Sequence, residues 1–141
     1  MKIIPFKGEH LAELLSKPSQ ACLRADLDIQ YEDLAAFESY TGMLEGRIVV
    51  CTGLIHVWPG RSIAWAFIAD DIGVHGMVSL TRAVQRFLNL RLNERIEAAV
   101  EADFLPGHRW ARMLGFERET PGVMRHFFAD GKDAVLYARV S

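Results

Sequence analysis

The sequence has few cysteines, no long apolar run and no signal-peptide pattern. Its 141 residues include only two cysteines, Cys22 and Cys51, so the fold cannot depend on a disulfide framework. Both lie beside apolar segments, and we expect reduced, buried thiols. No apolar run reaches the roughly 20 residues of a membrane-spanning helix, and residues 1–6 lack the pattern of a signal peptide. We therefore expect a cytoplasmic protein without a membrane span.

The chain also lacks an excess of charge of one sign. Sixteen Lys and Arg residues against 18 Asp and Glu residues give a formal net charge of −2. Non-specific nucleic-acid binding needs a basic face, so we expect no nucleic-acid partner. Half of the residues are hydrophobic, which argues against disorder. A chain of this length can bury roughly 68% of its unfolded surface, and we expect one domain over residues 1–141.

Several catalytic patterns are absent from the sequence. The five histidines form no i, i+4 pair and no HExxH motif, so we expect no metal site. No Ser-His-Asp or Cys-His order stands out, and there is no Walker loop. These absences leave chemistry that works without a metal ion or a nucleophilic side chain, or a protein that only binds.

Hydrophobic periodicity predicts a mixed α/β domain. Strands are predicted over residues 2–6, 37–44, 47–58, 62–69, 95–102 and 134–140, and one more begins at 116–119, is interrupted at Pro121-Gly122 and continues over 123–129. Helices are predicted over residues 10–17, 76–93 and 105–114. Residues 21–36 are interpreted as one broken helix or two short ones. The predicted order is β α α β β β α β α β β around a mixed central sheet.

The most informative stretch is the strand, loop and helix over residues 62–89. An apolar strand ends at Asp70 and Asp71, and a loop with Gly73 and Gly76 leads into the longest predicted helix. Backbone N–H groups at the start of a helix form a ready site for an anion. The other interpretation is an ordinary Asp-Gly turn that caps the helix.

The element order resembles that of the GNAT superfamily of acyl-CoA N-acyltransferases. Residues 63–89 look like the acyl-CoA motif of that family, and Leu114-Gly115-Phe116 looks like its late helix followed by a new strand. The resemblance implies an N-acetyltransferase that moves an acetyl group from acetyl-CoA to an amine of a small molecule or a protein. It implies that the cofactor lies on the strand end and the loop: Phe67, Ile68, Ala69, Gly73, Val74, His75 and Gly76. The N–H of Phe67 or Ile68 would then polarise the thioester carbonyl.

A narrower resemblance is to short GNAT-like proteins of tailed phages, some of them internal virion or core proteins. It depends on residues 23–26, residues 64–70, Arg109-Trp110 and Leu114-Gly115-Phe116. It implies an alternative function, a non-catalytic phage structural protein with other virion proteins as partners. Such a protein would be found in the host cytoplasm or in the virion.

The sequence departs from the superfamily pattern at three positions. With Gly73 in register, Asp70 stands where the family has Gln or Arg, and His75 stands where it has Gly or Ala. A carboxylate close to a diphosphate is repelled by it. Ala111 stands where many members have the Tyr that protonates the leaving thiolate.

Two carboxylates are the candidate catalytic groups. Glu97, Glu101 and Asp103 have the same parity along their strand and so face one side. Glu101 and Asp103 lie at its carboxyl end, where open α/β sheets place their sites. We expect Glu101 to act as the general base, with Asp103 behind it. The alternative is that both are solvated or hold an arginine such as Arg109.

Arg24 and Asp26 belong to the narrower resemblance and lie in the region predicted to be helical. Two residues apart on a helix, they would not face each other. We expect each of them to pair elsewhere or to cap the following helix, with a role at the acceptor site as the other interpretation.

Overall fold

A computed structural model describes residues 1–26 and 29–141 of the chain. Its elements, in order, are β1 (Lys2–Pro5), α1 (Gly8–Leu15), β2 (Ser19–Leu23), α2 (Tyr31–Leu34), β3 (Glu38–Leu44), β4 (Arg47–Trp58), β5 (Arg61–Ala69), α3 (Gly73–Asn89), β6 (Arg95–Glu101), α4 (Leu105–Met113), β7 (Glu117–Arg118) and β8 (Ala134–Val140). This is the predicted mixed α/β domain, with one additional strand between the first two helices.

The described residues form an eight-stranded mixed sheet. Seven strands follow the order β1-β3-β4-β5-β6-β8-β7, and β2 pairs with β5 off this path. β5 and β6 run parallel, but their pairing covers only Arg61–Ile63 against Arg95–Glu97. Past these residues the two strands separate, and the opening between them is the feature on which the candidate site depends.

The two faces of the sheet are covered by different helices. On one face Leu11 and Leu14 of α1 are fully buried, and Trp65 of β5 packs edge-on against Phe6 with ring centroids 5.4 Å apart. Alternate residues of β5 point to opposite faces, and Ala64 accordingly faces α3 and α4 on the other side. The apolar alternation in the sequence thus specifies both layers of core.

The prediction of helix over residues 21–36 is wrong for much of its length. Ser19–Leu23 is a strand, and only Tyr31–Leu34 is helical, while Leu27 and Asp28 lie outside the described residues. Cys22 and Leu23 are buried in the sheet. Tertiary contacts override a weak helical propensity here, because the neighbouring strands offer backbone partners that an isolated helix would lack.

Other boundaries also differ from the prediction. α3 begins at Gly73 and ends at Asn89 rather than covering residues 76–93. Residues 123–129 do not form the predicted strand: Met124 makes an isolated bridge to Ala134, and Asp133 accepts a hydrogen bond from the His126 N–H. A side chain in place of a neighbouring strand therefore satisfies this part of the backbone.

Glu97 links β5 and β6 through ion pairs at the end of β6 remote from Glu101. The Nε atoms of Arg61 and Arg95 donate to its Oε2 at 2.6 and 2.8 Å. The hydrogen bond from Arg61, helped by that from Arg95, lowers the pKa of Glu97 below its ordinary value of 4.5, against the effect of burial. Glu97 therefore does not share the role proposed for Glu101, although the two have the same strand parity.

This network makes a prediction about acid stability. A lowered pKa means that the folded state binds the Glu97 proton more weakly than the unfolded chain does, so the ion pairs stabilise the fold above pH 4.5 and are lost below it. Between about pH 5 and pH 3 we expect the free energy of unfolding to fall more steeply for the wild type than for Glu97→Gln. Urea denaturation measures it, with the exposed Glu117→Gln as a control that keeps the wild-type slope. Parallel slopes for Glu97→Gln and wild type would contradict the assignment.

Candidate functional site in the cleft between β5 and β6

The additional strand β2 lies in the opening between β5 and β6. It pairs antiparallel with β5, with Gln20 opposite Ile68 and Ala21 opposite Phe67. At its end, the N–H of Arg24 donates to the carbonyl of Ala99 on β6 at 2.8 Å. The strand therefore bridges the two diverging strands, and the cleft is filled by the chain itself.

This pairing engages one of the two predicted carbonyl-polarising donors, and the pairing of β5 with β4 engages the other. The N–H of Asp70 donates to the carbonyl of Pro18 at 2.9 Å. Hydrogen-bonded pairs alternate along an antiparallel ladder, so the next such pair is Gln20 with Ile68. The Ile68 N–H then points at β2, and the Phe67 N–H points the other way, at β4. The structure places these residues in the predicted strand but leaves neither donor free.

The predicted diphosphate loop is short and is largely part of a helix. Only a single 3-10 turn, Asp70–Ile72, separates β5 from α3. Gly73 has a φ of 76° and a Cβ there would meet open space. A Cβ on Gly76, however, would lie 2.6 Å from the Leu44 side chain. Gly76 is thus required for packing, and Val74 and His75 are exposed residues of the first turn of α3.

The acidic pair before α3 is partly neutralised by nearby cations. Asp71 lies 3.9 Å from the Lys17 Nζ and 3.6 Å from the Arg47 Nε. Carboxylates are favourable near the positive end of the helix dipole, but they also occupy the region that an anionic ligand would need. Among residues 1–26 and 29–141, no side chain caps the N-terminus of α3. The arrangement resembles the Asp-Gly turn of the second interpretation more than a phosphate cradle.

Acetyl-CoA, which the resemblance implies as cofactor, does not fit these residues as they are arranged. β2 takes the strand edge that would bind its pantetheine arm. The loop that would hold its diphosphate is a single turn with two carboxylates. Binding would require β2 to leave β5.

Glu101 and Asp103 do come together at the end of β6. They line one shallow pocket of about 360 Å³ with Lys132 and Asp133. The Glu101 Oε1 accepts from the Lys132 Nζ at 2.9 Å, and its Oε2 lies 3.8 Å from Arg24. The hydrogen bond with Glu101 raises the pKa of the Lys132 ammonium. The catalytic roles of Glu101 and Asp103 stay predictions. The alternative interpretation named Arg109 as an ion-pair partner, but the cations beside Glu101 are Lys132 and Arg24.

Arg24 is the centre of an ion-pair cluster that the sequence did not indicate. It donates to Asp26 through its Nε at 3.1 Å and to Asp130 through its Nη1 at 3.1 Å. Its guanidinium carbon lies 3.9 Å from the centroid of the Phe128 ring. The expectation that Arg24 and Asp26 do not face each other is wrong, because the segment is extended rather than helical. The cluster ties the end of β2 to the C-terminal loop.

A buried tyrosine lies near α4, although the late helix itself has none. Ala111 is fully buried, so this position carries no acid. The Nε2 of His108 lies 2.9 Å from the Ala102 carbonyl and must donate to it. In neutral His108 the Nδ1 then accepts from the Tyr137 hydroxyl at 2.8 Å. Because Tyr137 is fully buried, this pair stabilises the packing of α4 on β8.

The two cysteines are free and buried thiols, as predicted. Burial raises the pKa of both thiols, those of Cys22 and Cys51, to about 12. Since the thiolate is the reactive form, neither residue has the properties of a nucleophile.

The described residues contain neither a membrane-spanning helix nor a metal-binding cluster. Leaving aside Leu27 and Asp28, no helix is long and apolar enough to cross a membrane. Within residues 1–26 and 29–141, no group of three or more His, Cys, Asp or Glu side chains is placed to hold a metal ion.

The strand order, the divergent parallel pair and the helix after the short turn define the class of fold. The chain has the acyl-CoA N-acyltransferase fold of the GNAT superfamily, as the sequence predicted. Known structures of the same fold include the ribosomal-protein-S18-alanine N-acetyltransferase from Escherichia coli, with a TM-score of 0.71, 14% identity, and 99% of this chain and 92% of that chain covered.

Two further structures show the same likeness. The ribosomal-protein-alanine N-acetyltransferase from Brucella melitensis has a TM-score of 0.68 and 14% identity over 100% of both chains. The acetyl transferase from Salmonella typhimurium that modifies the N-terminal serine of the 50S ribosomal subunit protein L7/L12 has a TM-score of 0.67 and 15% identity, over 99% of this chain and 94% of that one. No protein-family model and no curated protein matches in sequence. At these identities the likeness shows the fold and leaves the activity open.

Proposed function

We propose that the protein is a non-catalytic binding protein built on the GNAT fold. The observation that carries this proposal is that β2 occupies the cleft between β5 and β6. The Ile68 N–H is directed at Gln20, so the donor expected to act on a thioester carbonyl is already satisfied. Asp70 and Asp71 in the short turn, and Ala111 in α4, support the same conclusion. The narrower sequence resemblance would make other virion proteins its partners.

A second candidate is an acetyl-CoA-dependent N-acetyltransferase that acts on an amine of a small molecule or a protein. Two observations favour it: the fold shared with known acetyltransferases and the shallow pocket that brings Glu101 and Asp103 together. For this function β2 would have to move out of the cleft. Glu101 would then hold or accept the amine proton from its position beside Lys132.

Thermal unfolding with acetyl-CoA separates the two candidates. A ligand at 100 times its Kd adds about 2.7 kcal/mol of stability, which for a domain of this size raises Tm by roughly 5–10 °C. We expect no shift for the wild type at millimolar acetyl-CoA. A shift for the wild type would overturn the proposal. A shift only in Gln20→Pro, which weakens β2, would favour an acetyltransferase whose cleft is closed at rest.

A further inference from the structure

A second cavity lies on the opposite side of the strands from α1. It encloses about 290 Å³ between α3 and the sheet. α3 contributes Leu80, Val84 and Phe87 to its wall, and the sheet contributes small side chains such as that of Ala64. Side chains this small opposite a helix leave space that protein interiors normally fill.

The described residues that line the interior of this cavity are almost entirely apolar. Its two inner polar side chains, Thr52 and Trp110, are already engaged. The Thr52 hydroxyl donates to the Trp65 carbonyl at 2.8 Å, and the Trp110 Nε1 donates to Thr81 at 3.0 Å. Apolar cavities stay dry and take up apolar molecules. The body of any occupant must therefore be apolar and uncharged.

The cavity is long, with one closed end and one open end. Its lining runs from Ile3 on β1 across β3, β4 and β5 to Leu23 on β2, and four strand spacings of about 4.8 Å amount to roughly 19 Å. Ile3 and Tyr40 are 47% and 36% exposed, whereas Leu23 and Trp110 are each 3% exposed. The open end is therefore on the β1 side, and the closed end lies at Leu23 and Trp110.

From this shape and chemistry we propose that the cavity binds a medium-chain alkyl group. A cavity of about 150 Å³ takes up benzene, so one of 290 Å³ has room for roughly twelve carbon atoms. A narrow channel of this length fits an extended chain better than a fused ring. The polar head of the ligand lies in solvent beside Tyr40. This proposal does not rest on the proposed function, and the channel meets the cleft that acetyl-CoA would need only at its closed end, at Leu23 of β2.

The test uses 1-decanol as the probe and 1-butanol as the short control with the same head group. At ten times its Kd, 1-decanol is expected to raise Tm by roughly 3–5 °C in the wild type. Ala83→Leu adds a side chain to the α3 wall of the channel and is expected to abolish the shift. Ala12→Leu makes the same change on an exposed position of α1 and keeps it.

A second measurement does not depend on how Ala83→Leu folds. Bromine quenches tryptophan only at contact, so 10-bromo-1-decanol is expected to quench emission in the wild type and not in Trp110→Phe. The absence of a Tm shift with 1-decanol up to its solubility limit, an equal shift in folded Ala83→Leu, or equal quenching without Trp110 would each overturn the proposal. None of these outcomes depends on the result with acetyl-CoA.

Discussion

Gln20→Pro is expected to lower the free energy of unfolding by about 3 kcal/mol. Gln20 lies in the hydrogen-bonded pair with Ile68, and Arg24, the residue after the strand, forms a bridge to Ala99 of β6. Proline removes the N–H that donates to β5, so it disrupts the pairing that holds β2 in the cleft. Urea denaturation followed by circular dichroism measures the loss.

Gln30→Pro is the matched control for this change. Gln30 precedes α2 with a φ of −71°, which is close to the angle that proline imposes. Its stability is therefore expected to change by less than about 1 kcal/mol. If both variants unfold at the same urea concentration as the wild type, β2 is not paired with β5 in solution.

Arg24→Ala is expected to cost about 2–3 kcal/mol, somewhat below the range for fully buried ion pairs because the cluster is partly exposed. The Arg24 side chain is 13% exposed, and those of Asp26 and Glu101 are 22% and 24% exposed. Without Arg24, three carboxylates would remain close together with only Lys132 to balance them. Urea denaturation again measures the change.

Arg47→Ala is the control for Arg24→Ala. Arg47 also has two carboxylate neighbours, Glu45 and Asp71, but these side chains are 86% and 58% exposed. Exposed ion pairs contribute little, so we expect a loss of less than about 1 kcal/mol. A loss for Arg24→Ala no larger than that for Arg47→Ala would show that the cluster does not hold β2 in place.

The parts of the fold that the sequence predicted well are those with strong local patterns. The long apolar runs of β4 and β5, the amphipathic α3 and the glycine at the end of α4 each carry their own signal. The predicted boundaries of β6 and β8 also lie within one residue of the observed ones. Local periodicity is enough for these elements, because each buries a continuous face whatever its neighbours are.

β2 could not be predicted, because its conformation depends on partners elsewhere in the chain. Ser19–Leu23 has no alternation of its own and becomes a strand where β5 and β6 leave backbone groups unpaired. The geometry of the candidate site could not be predicted for the same reason. Phe67 and Ile68 were correctly placed on a strand, but the sequence could not indicate that β2 would engage one of their donors.

Backbone hydrogen exchange at Ile68, followed by NMR with and without millimolar acetyl-CoA, tests the central claim most directly. If β2 closes the cleft, the Ile68 amide is protected in the free protein, and acetyl-CoA does not change its exchange rate or its chemical shift. Rapid exchange of Ile68 in the free protein, with protection appearing only when acetyl-CoA is added, would contradict the account and would support an open cofactor cleft.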